Sequence, residues 1–596
     1  MPSSTFGSFE AAKSGLSVAM QQLNVTEQNI ANVNTPGYSR QRIMTSAKEP
    51  AASTYLIAQL NKALVGQGVE TTGIQQIRSV YLDKQYRALN ANYSYSSSRS
   101  NSLEYLTGLF NELNDEGSLT TSIGNFFSSL NTFASDTSSK EFRTNVQQQA
   151  LSMTQNVNNV YEEMQSLWND QNDSIATAAQ KINAIGEKIS KLNDAIARIA
   201  QTGSEANDLN DERNLLLDEL SGYVNMTYTV NATNDSMVDV SIGGLRLVEG
   251  TVTNTITVDT PSAHATEIDA LTNQIGSINA QVVAGTMTPG AAATAIDDIL
   301  NGTTTPPGLL SYLPVTTSAN ASNPSLIDVK LGNAFLVKGT TATPAETAVK
   351  NDLTAWVTYN KNNLTLDGNP LSIDSGTVTG GSLFSHMEMV TSQSAVSPGI
   401  PFYMDQINSL VREMAENLNN ITRSGWTYPD GTSPSVTGIN LFKVPSQVVA
   451  GVTVYDYSAI NGGNFTLSDE VLLSAYNIAG SSQQVILNSP STESGNNIIA
   501  RELANNLTVG GYYDKLNSIV GNLAIAANTS DSIMSTKESL IESIDTQRQS
   551  VSAVSLDEET TNLIIFQQSY QACARVITAL DEMLEAMINK MGITGR

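Results

Sequence analysis

The sequence predicts an α+β multidomain protein: heptad-patterned terminal helices forming an axial, coiled-coil-like part, a discontinuous helical-bundle domain, and inserted β-rich segments. Three observations predict it. Apolar residues recur at alternating steps of three and four near both extremities, the same period returns in several internal stretches, and between these the period drops to two. At 596 residues the chain exceeds one compact core, because single domains usually run to roughly 100–200 residues.

Residues 1–70 are read as an N-terminal axial helix followed by an extended segment. Phe9, Leu16, Leu23 and Ile30 fall seven apart, with Ala12, Ala19, Thr26 and Val33 interleaved, the spacing of a two-position seam. Asn34-Thr35-Pro36-Gly37 ends that helix, since the residue before proline avoids the α region and glycine tolerates positive φ. Residues 71–225 begin the helical domain. Its clearest stripe is Ile175, Ala178, Ile182, Ile185, Ile189, Leu192, Ile196 and Ile199.

Residues 226–372 are expected to form an inserted β-rich domain. Met226, Tyr228 and Val230, then Val238, Val240 and Ile242, and later Ile327, Val329 and Leu331 alternate as half-buried strands do. A helical excursion near 264–300 interrupts them, marked by Ile268, Leu271, Ile275, Ile278 and Val282 and turned by Gly285 and Pro289-Gly290. Residues 373–550 return to the helical domain through a helix from Pro401 to Ile421, with a small β-containing region near 441–490.

Residues 551–596 hold the strongest pattern, a C-terminal axial helix beginning near Leu556. Leu563, Phe566, Tyr570, Cys573, Ile577, Leu580, Leu584, Met587 and Met591 alternate steps of three and four without a miss. Ser555 is placed to cap the first turn with Glu558 reaching back, and Asp557-Glu558-Glu559 suits the positive end of the helix. Ordering so long a segment opposes the gain from burying one stripe, so both ends are expected to be mobile alone and to pair when neighbours cover them.

A net charge of −26 argues against binding nucleic acid or anionic lipid, both of which need clustered Lys and Arg. No stretch approaches the roughly 20 apolar residues of a membrane-spanning helix, and no basic leader with an apolar run opens the chain. Cys573 is the single cysteine, so no internal disulfide forms, and at a seam position it reads as a small buried hydrophobe. The two histidines, His264 and His386, belong to no metal-binding spacing. Phosphate-loop, nucleophile-elbow and dinucleotide glycine patterns are missing. No catalytic residue, cofactor or metal is therefore expected. Arg40 and Arg42 are open to either an assembly contact or plain solvation.

The run Asn29-Ile30-Ala31-Asn32-Val33-Asn34-Thr35-Pro36-Gly37-Tyr38-Ser39-Arg40-Gln41 closely resembles the signature of flagellar rod, hook and hook-associated axial proteins. Further blocks occur in that family's order: Gly68-Val69, Ile77-Arg78, Tyr81-Leu82, Gln85-Tyr86-Arg87, Ser555-Leu556-Asp557-Glu558-Glu559, and Phe566-Gln567-Gln568-Ser569-Tyr570-Gln571-Ala572. Tyr38-Ser39-Arg40-Gln41 resembles the hook-associated members more than rod or hook subunits. Cys573 departs from the family pattern, where a small residue such as Ser or Ala is expected.

The resemblance implies a structural subunit at the junction between hook and filament, a mechanical adaptor and template for filament assembly rather than an enzyme. The alternatives are a hook or distal-rod subunit, or an axial scaffold whose insertion adheres to surfaces. The implied partners are other copies in a ring or helical layer, the hook protein, a second, flagellin-like junction protein, and a cytoplasmic export chaperone at the C-terminal helix. The implied location is extracellular, reached by type III export without a cleaved leader. The candidate assembly interface comprises Phe9, Leu16, Leu23, Ile30, Asn32, Asn34, Pro36, Gly37, Tyr38, Arg40, Leu563, Phe566, Tyr570, Ile577, Leu580, Leu584 and Met587.

Overall fold

The computed structural model describes residues 5–48, 68–110, 118–258, 265–301, 315–331, 334–343, 364–371, 376, 378–430, 433–449, 452–486 and 495–591. Among them, helices alternate with several small antiparallel sheets, an α+β multidomain fold. The chain divides into two compact units: Met1–Tyr93, Lys181–Thr255 and Thr536–Arg596 in one, Ser94–Gln180 and Ile256–Ser535 in the other. The β-rich stretch 226–372 is thereby shared between them, its first strands grouping with the chain ends.

In the unit that holds the termini, helix Thr5–Ala31 packs along helix Leu556–Met591. Small and branched residues make that approach possible: Ala12, Val18, Ala19 and Val25 are buried, and a Cβ added at Gly15 would lie 3.1 Å from the Cys573 sulfur. After the turn at Gly37, whose φ is +78°, strands Gln41–Ala47 and Val69–Gln76 pair antiparallel from Gln41–Gln76 to Ala47–Val69, with a bulge between Met44 and Thr45. Helix Asn207–Tyr223 holds this hairpin, as Asn207 Nδ2 donates to the Ile74 carbonyl and Gln76 Nε2 to the Asn207 carbonyl, each at 2.8 Å.

The last turns of the long helix Lys140–Ala200 lie on a four-stranded meander, Met226–Val230, Val238–Ile242, Leu245–Glu249 and Val252–Thr253. The stripe read from the sequence is buried there, in Ile185, Ile189, Leu192 and Ile196, as are Val240, Ile242 and Leu247 of the meander. Gly186 permits the closeness, since a Cβ there would meet Leu247 at 3.3 Å.

The second unit is built on a mainly apolar core. Helix Leu119–Ser135 starts at Ser118, whose Oγ accepts from the Thr121 amide at 3.0 Å. It contributes Phe126, Phe127 and Phe133 to a cluster completed by Phe442, Phe465, Tyr512 and the stripe Ile407, Val411, Met414 and Leu418 of helix Ile400–Ser424. Phe442 and Phe465 rings stand 4.6 Å apart and Phe127 stacks on Tyr512 at 5.9 Å. Arg143 is 2% exposed within it. The guanidinium is satisfied by the carbonyls of Thr137, Tyr476 and Ile478 and stacks on Phe133 and Tyr428, while burial pushes its pKa down to about 10.

His386 sits in helix Gly381–Thr391, hydrogen-bonded through Nδ1 to Gln171 at 2.7 Å, and burial lowers its pKa to about 4. The His386 side chain is half-buried. His264 lies outside the described residues. A second meander of Thr316–Ala319, Ile327–Leu331, Ala334–Lys338 and Thr341–Ala342 carries helices Ala265–Val283 and Pro289–Asn301. The β-containing region near 441–490 is a hairpin, Ser446–Val449 with Val452–Tyr455, followed by short helical turns.

Candidate assembly site

Where the N-terminal helix ends, its last turns meet the start of the C-terminal helix around one carboxamide. Asn29 is 1% exposed. Its Nδ2 donates to the Gln41 carbonyl at 2.9 Å and to Glu559 Oε2 at 3.0 Å, and its Oδ1 accepts from the Gln41 amide at 3.0 Å and from the Tyr38 hydroxyl at 2.9 Å. Both donors and both acceptor positions are used, which is full satisfaction for a buried amide side chain.

Glu559, 2% exposed, also accepts from Arg40 Nε at 2.7 Å, while Arg40 Nη1 reaches Glu558 at 2.5 Å. The Arg40 amide donates to the Ser552 carbonyl at 2.9 Å, closing the loop before the last helix. The acidic start of that helix is therefore more than a complement to the helix dipole, because two of its carboxylates bind Arg40. Glu558 turns toward Arg40 instead of reaching back over the first turn, and the Ser555 hydroxyl stands 3.5 Å from the Glu558 amide. Arg40 is a half-buried ion-pair partner, whereas Arg42 is exposed and reaches Gln75 at 3.4 Å.

A second polar chain runs behind this knot. Asp211 Oδ2 accepts from the Ser39 amide at 2.9 Å and its other oxygen faces Arg78 at 3.5 Å. Burial raises the Asp211 pKa against those favourable contacts. Asp218 bridges Arg87 and Arg548, and Arg548 stacks on Tyr86 at 4.0 Å. Tyr38 is held well above its usual range by burial and by the charges of Asp208, Asp211 and Glu559, so it stays a neutral donor to Asn29.

The candidate residues divide into three groups. Tyr38 and Arg40 belong to the knot. Phe9, Leu16, Leu23, Ile30, Leu563, Phe566, Ile577 and Leu584 are half-buried and Leu580 is buried. Tyr570, Met587, Asn34, Pro36 and Gly37 are exposed, and Asn32 accepts from Thr35 at 3.1 Å in the turn. A further stripe of the C-terminal helix, Ile565, Val576 and Met583, is about half exposed and was not among the sequence candidates. Asn29 and Glu559 were also missing from them. Asn29 opens the quoted signature and Glu559 closes an acidic run, but nothing local shows that the two meet across 530 residues.

The family described as the flagellar hook-associated protein FlgK helical domain matches residues 103–265 and 261–442, more than half of the chain. The chain belongs to the FlgK family. The families described as flagella basal body rod protein and flagellar basal body rod FlgEFG protein C-terminal match residues 9–38 and 545–591, the two segments that Asn29 and Glu559 join. Flagellar hook-associated protein 1 of Bacillus subtilis is 25% identical over 605 residues, covering 100% of both chains. That of Salmonella typhimurium is 24% identical over 602 residues, covering 97% of this chain and 98% of its own.

The solved structure of the flagellar hook junction protein FlgK from Burkholderia pseudomallei superposes with a TM-score of 0.46 at 12% identity, covering 78% of this chain and 100% of that one. As a FlgK-family member the chain is a structural component of the bacterial flagellum. Among the described residues no helix is long and apolar enough to cross a membrane, and no group of His, Cys, Asp and Glu is arranged to hold a metal ion.

Proposed function

We propose that this FlgK-family chain joins hook to filament through its paired ends, acting as a shape adaptor without bond chemistry. One observation carries the reading: the C-terminal helix is fixed on one side by the Asn29, Arg40 and Glu559 knot and leaves Ile565, Val576 and Met583 half exposed on the rest of its surface. Burying the exposed half of each of these side chains is worth roughly 0.7–1.5 kcal/mol, so the row favours contact with further subunits. Heptad packing of Phe9, Leu16, Leu23 and Ile30 with Leu563, Phe566, Ile577, Leu580 and Leu584 is the proposed arrangement of the axial part, 1–70 and 551–596. Residues 71–225 and 373–550 supply the helical part and 226–372 the insertion.

The proposed contacts are other copies in a layer, the hook protein on one face and a flagellin-like junction protein on the other. Before export, a cytoplasmic chaperone covers the C-terminal stripe, and removal of residues 555–596 abolishes its binding. The decisive test is a strain lacking the gene. It should build hooks and shed filament protein into the medium; hookless cells would overturn the reading. Polar replacement of Ile565, Val576 and Met583 together should reproduce the shedding while leaving the purified subunit folded.

A further inference from the structure

The two meanders, one in each unit, share more than a topology. Asn231-Ala232-Thr233-Asn234-Asp235-Ser236 and Asn320-Ala321-Ser322-Asn323-Pro324-Ser325 start their turns a fixed 89 residues apart (231 to 320), and the same offset aligns Leu247-Val248-Glu249-Gly250-Thr251 with Leu336-Val337-Lys338-Gly339-Thr340. The hydrogen bonds repeat with the letters. Asn231 donates to Asp239 at 2.7 Å and Asn320 to Asp328 at 2.9 Å; those aspartates accept from the amides of Gly250 at 2.8 Å and Gly339 at 2.7 Å. Both glycines have φ +58°.

The helix in front of each meander is pinned in the same way. Asn193 Nδ2 donates to the carbonyls of Val238 and Gly250 at 2.8 and 2.7 Å while its Oδ1 accepts from the Val238 amide at 3.2 Å. Asn279 does the same to Ile327 and Gly339 at 2.8 and 2.6 Å, accepting from the Ile327 amide at 3.2 Å. After each pinned helix comes a left-handed glycine, Gly203 or Gly285, and a second helix. A recurring turn type explains one such loop, but not a helix asparagine, a turn, an aspartate and a left-handed glycine repeating in order and in partner.

We infer that the chain carries one helix–helix–meander module twice, over residues 181–254 and 267–343, and that the copies have diverged in duty at Tyr228. In the first copy the ring of Tyr228 lies under Arg87 at 4.8 Å and Lys84 at 5.7 Å, and Arg87 is the partner of Asp218. The aligned residue of the second copy is Thr317, on a strand exposed along its whole length, Thr316–Ala319. Tyr228 is thus a positioning residue that seats the first module on the helix beginning at Val80, and the second module keeps the scaffold without the seat.

Two exchanges in the full-length chain test this by amide hydrogen exchange. Replacing residues 316–340 with the sequence of 227–251, equal in length, should preserve slow exchange at positions 327 and 339; loss of that protection overturns the equivalence of the copies. Tyr228→Thr should speed exchange around residues 84–90 roughly 5–10-fold, the loss of a partly desolvated cation–π contact, while Thr317→Tyr changes nothing. Equal responses to the two substitutions overturn the division of duty. Should the exchange chimera fail to fold at all, Asn193→Ala and Asn279→Ala decide the first point: each should release only its own amide, Val238 or Ile327, and any other pattern refutes the duplication.

Discussion

The chain ends and the core of the second unit solve the burial problem with opposite materials. Around Asn29 the buried atoms are amide and carboxylate groups whose partners arrive from residues 38, 40, 41 and 559, each bond specific in direction. Around Phe126 and Phe442 the buried atoms are rings and branched chains, which attract without direction and in proportion to area. The core tolerates small shifts in position and loses stability when volume is removed. The knot is sensitive to the loss of a partner, because the group left behind stays buried and unsatisfied. A joint that must keep one geometry suits directional polar groups, and a body that must stay folded suits the apolar core.

Phe442→Ala should break the core side of this comparison most severely, at about 3–5 kcal/mol in chemical denaturation, since it removes a fully buried ring between Phe126 and Phe465. Glu559→Ala should cost about 3 kcal/mol by stranding Asn29 Nδ2 and Arg40 Nε. Its signature is local: faster hydrogen exchange at Gln41 and in the first turns of the last helix, with the core amides unchanged.

Acid provides a third probe. The unfolded chain protonates His386 near pH 6.5 while the folded form does so only at about 4. The second unit should therefore lose on the order of 2–3 kcal/mol as pH falls through that window. His386→Gln should flatten this part of the pH profile. The smallest effect is expected at Gly15→Ala, where better helix propensity and pressure on the Cys573 sulfur at 3.1 Å nearly cancel within about 1 kcal/mol. Adding Cys573→Ala should tip the balance toward stabilisation, read from the melting temperature.

Elements with a strong period were legible in the sequence. The helix read from Pro401 to Ile421 is Ile400–Ser424, the last helix begins at Leu556 as its acidic first turn implies, and the strands around Met226, Val238 and Ile327 stand where alternation put them. The stripe from Ile175 to Ile199 was legible as a helix but not as part of one running from Lys140, because Val146 to Leu167 reads as a separate stripe. The excursion near 264–300 was legible as helices, yet its kinship with 181–223 was not. Its apolar pattern is generic, and the informative residues, Asn193 and Asn279, make contacts 45 and 48 residues downstream. The knot was half legible: Tyr38 and Arg40 stood out beside the Pro-Gly turn, while Asp211, Asp218 and Arg548 are single charges in polar helices whose partners are set by the fold alone.

The carboxamide of Asn29 leaves the chain little room for replacement at that point. Aspartate would offer oxygen where the Gln41 carbonyl and Glu559 need hydrogen, placing two anions side by side, and glutamine would carry the same group one methylene too far. Either change would weaken the joint between helices Thr5–Ala31 and Leu556–Met591, so one carboxamide couples two segments 530 residues apart.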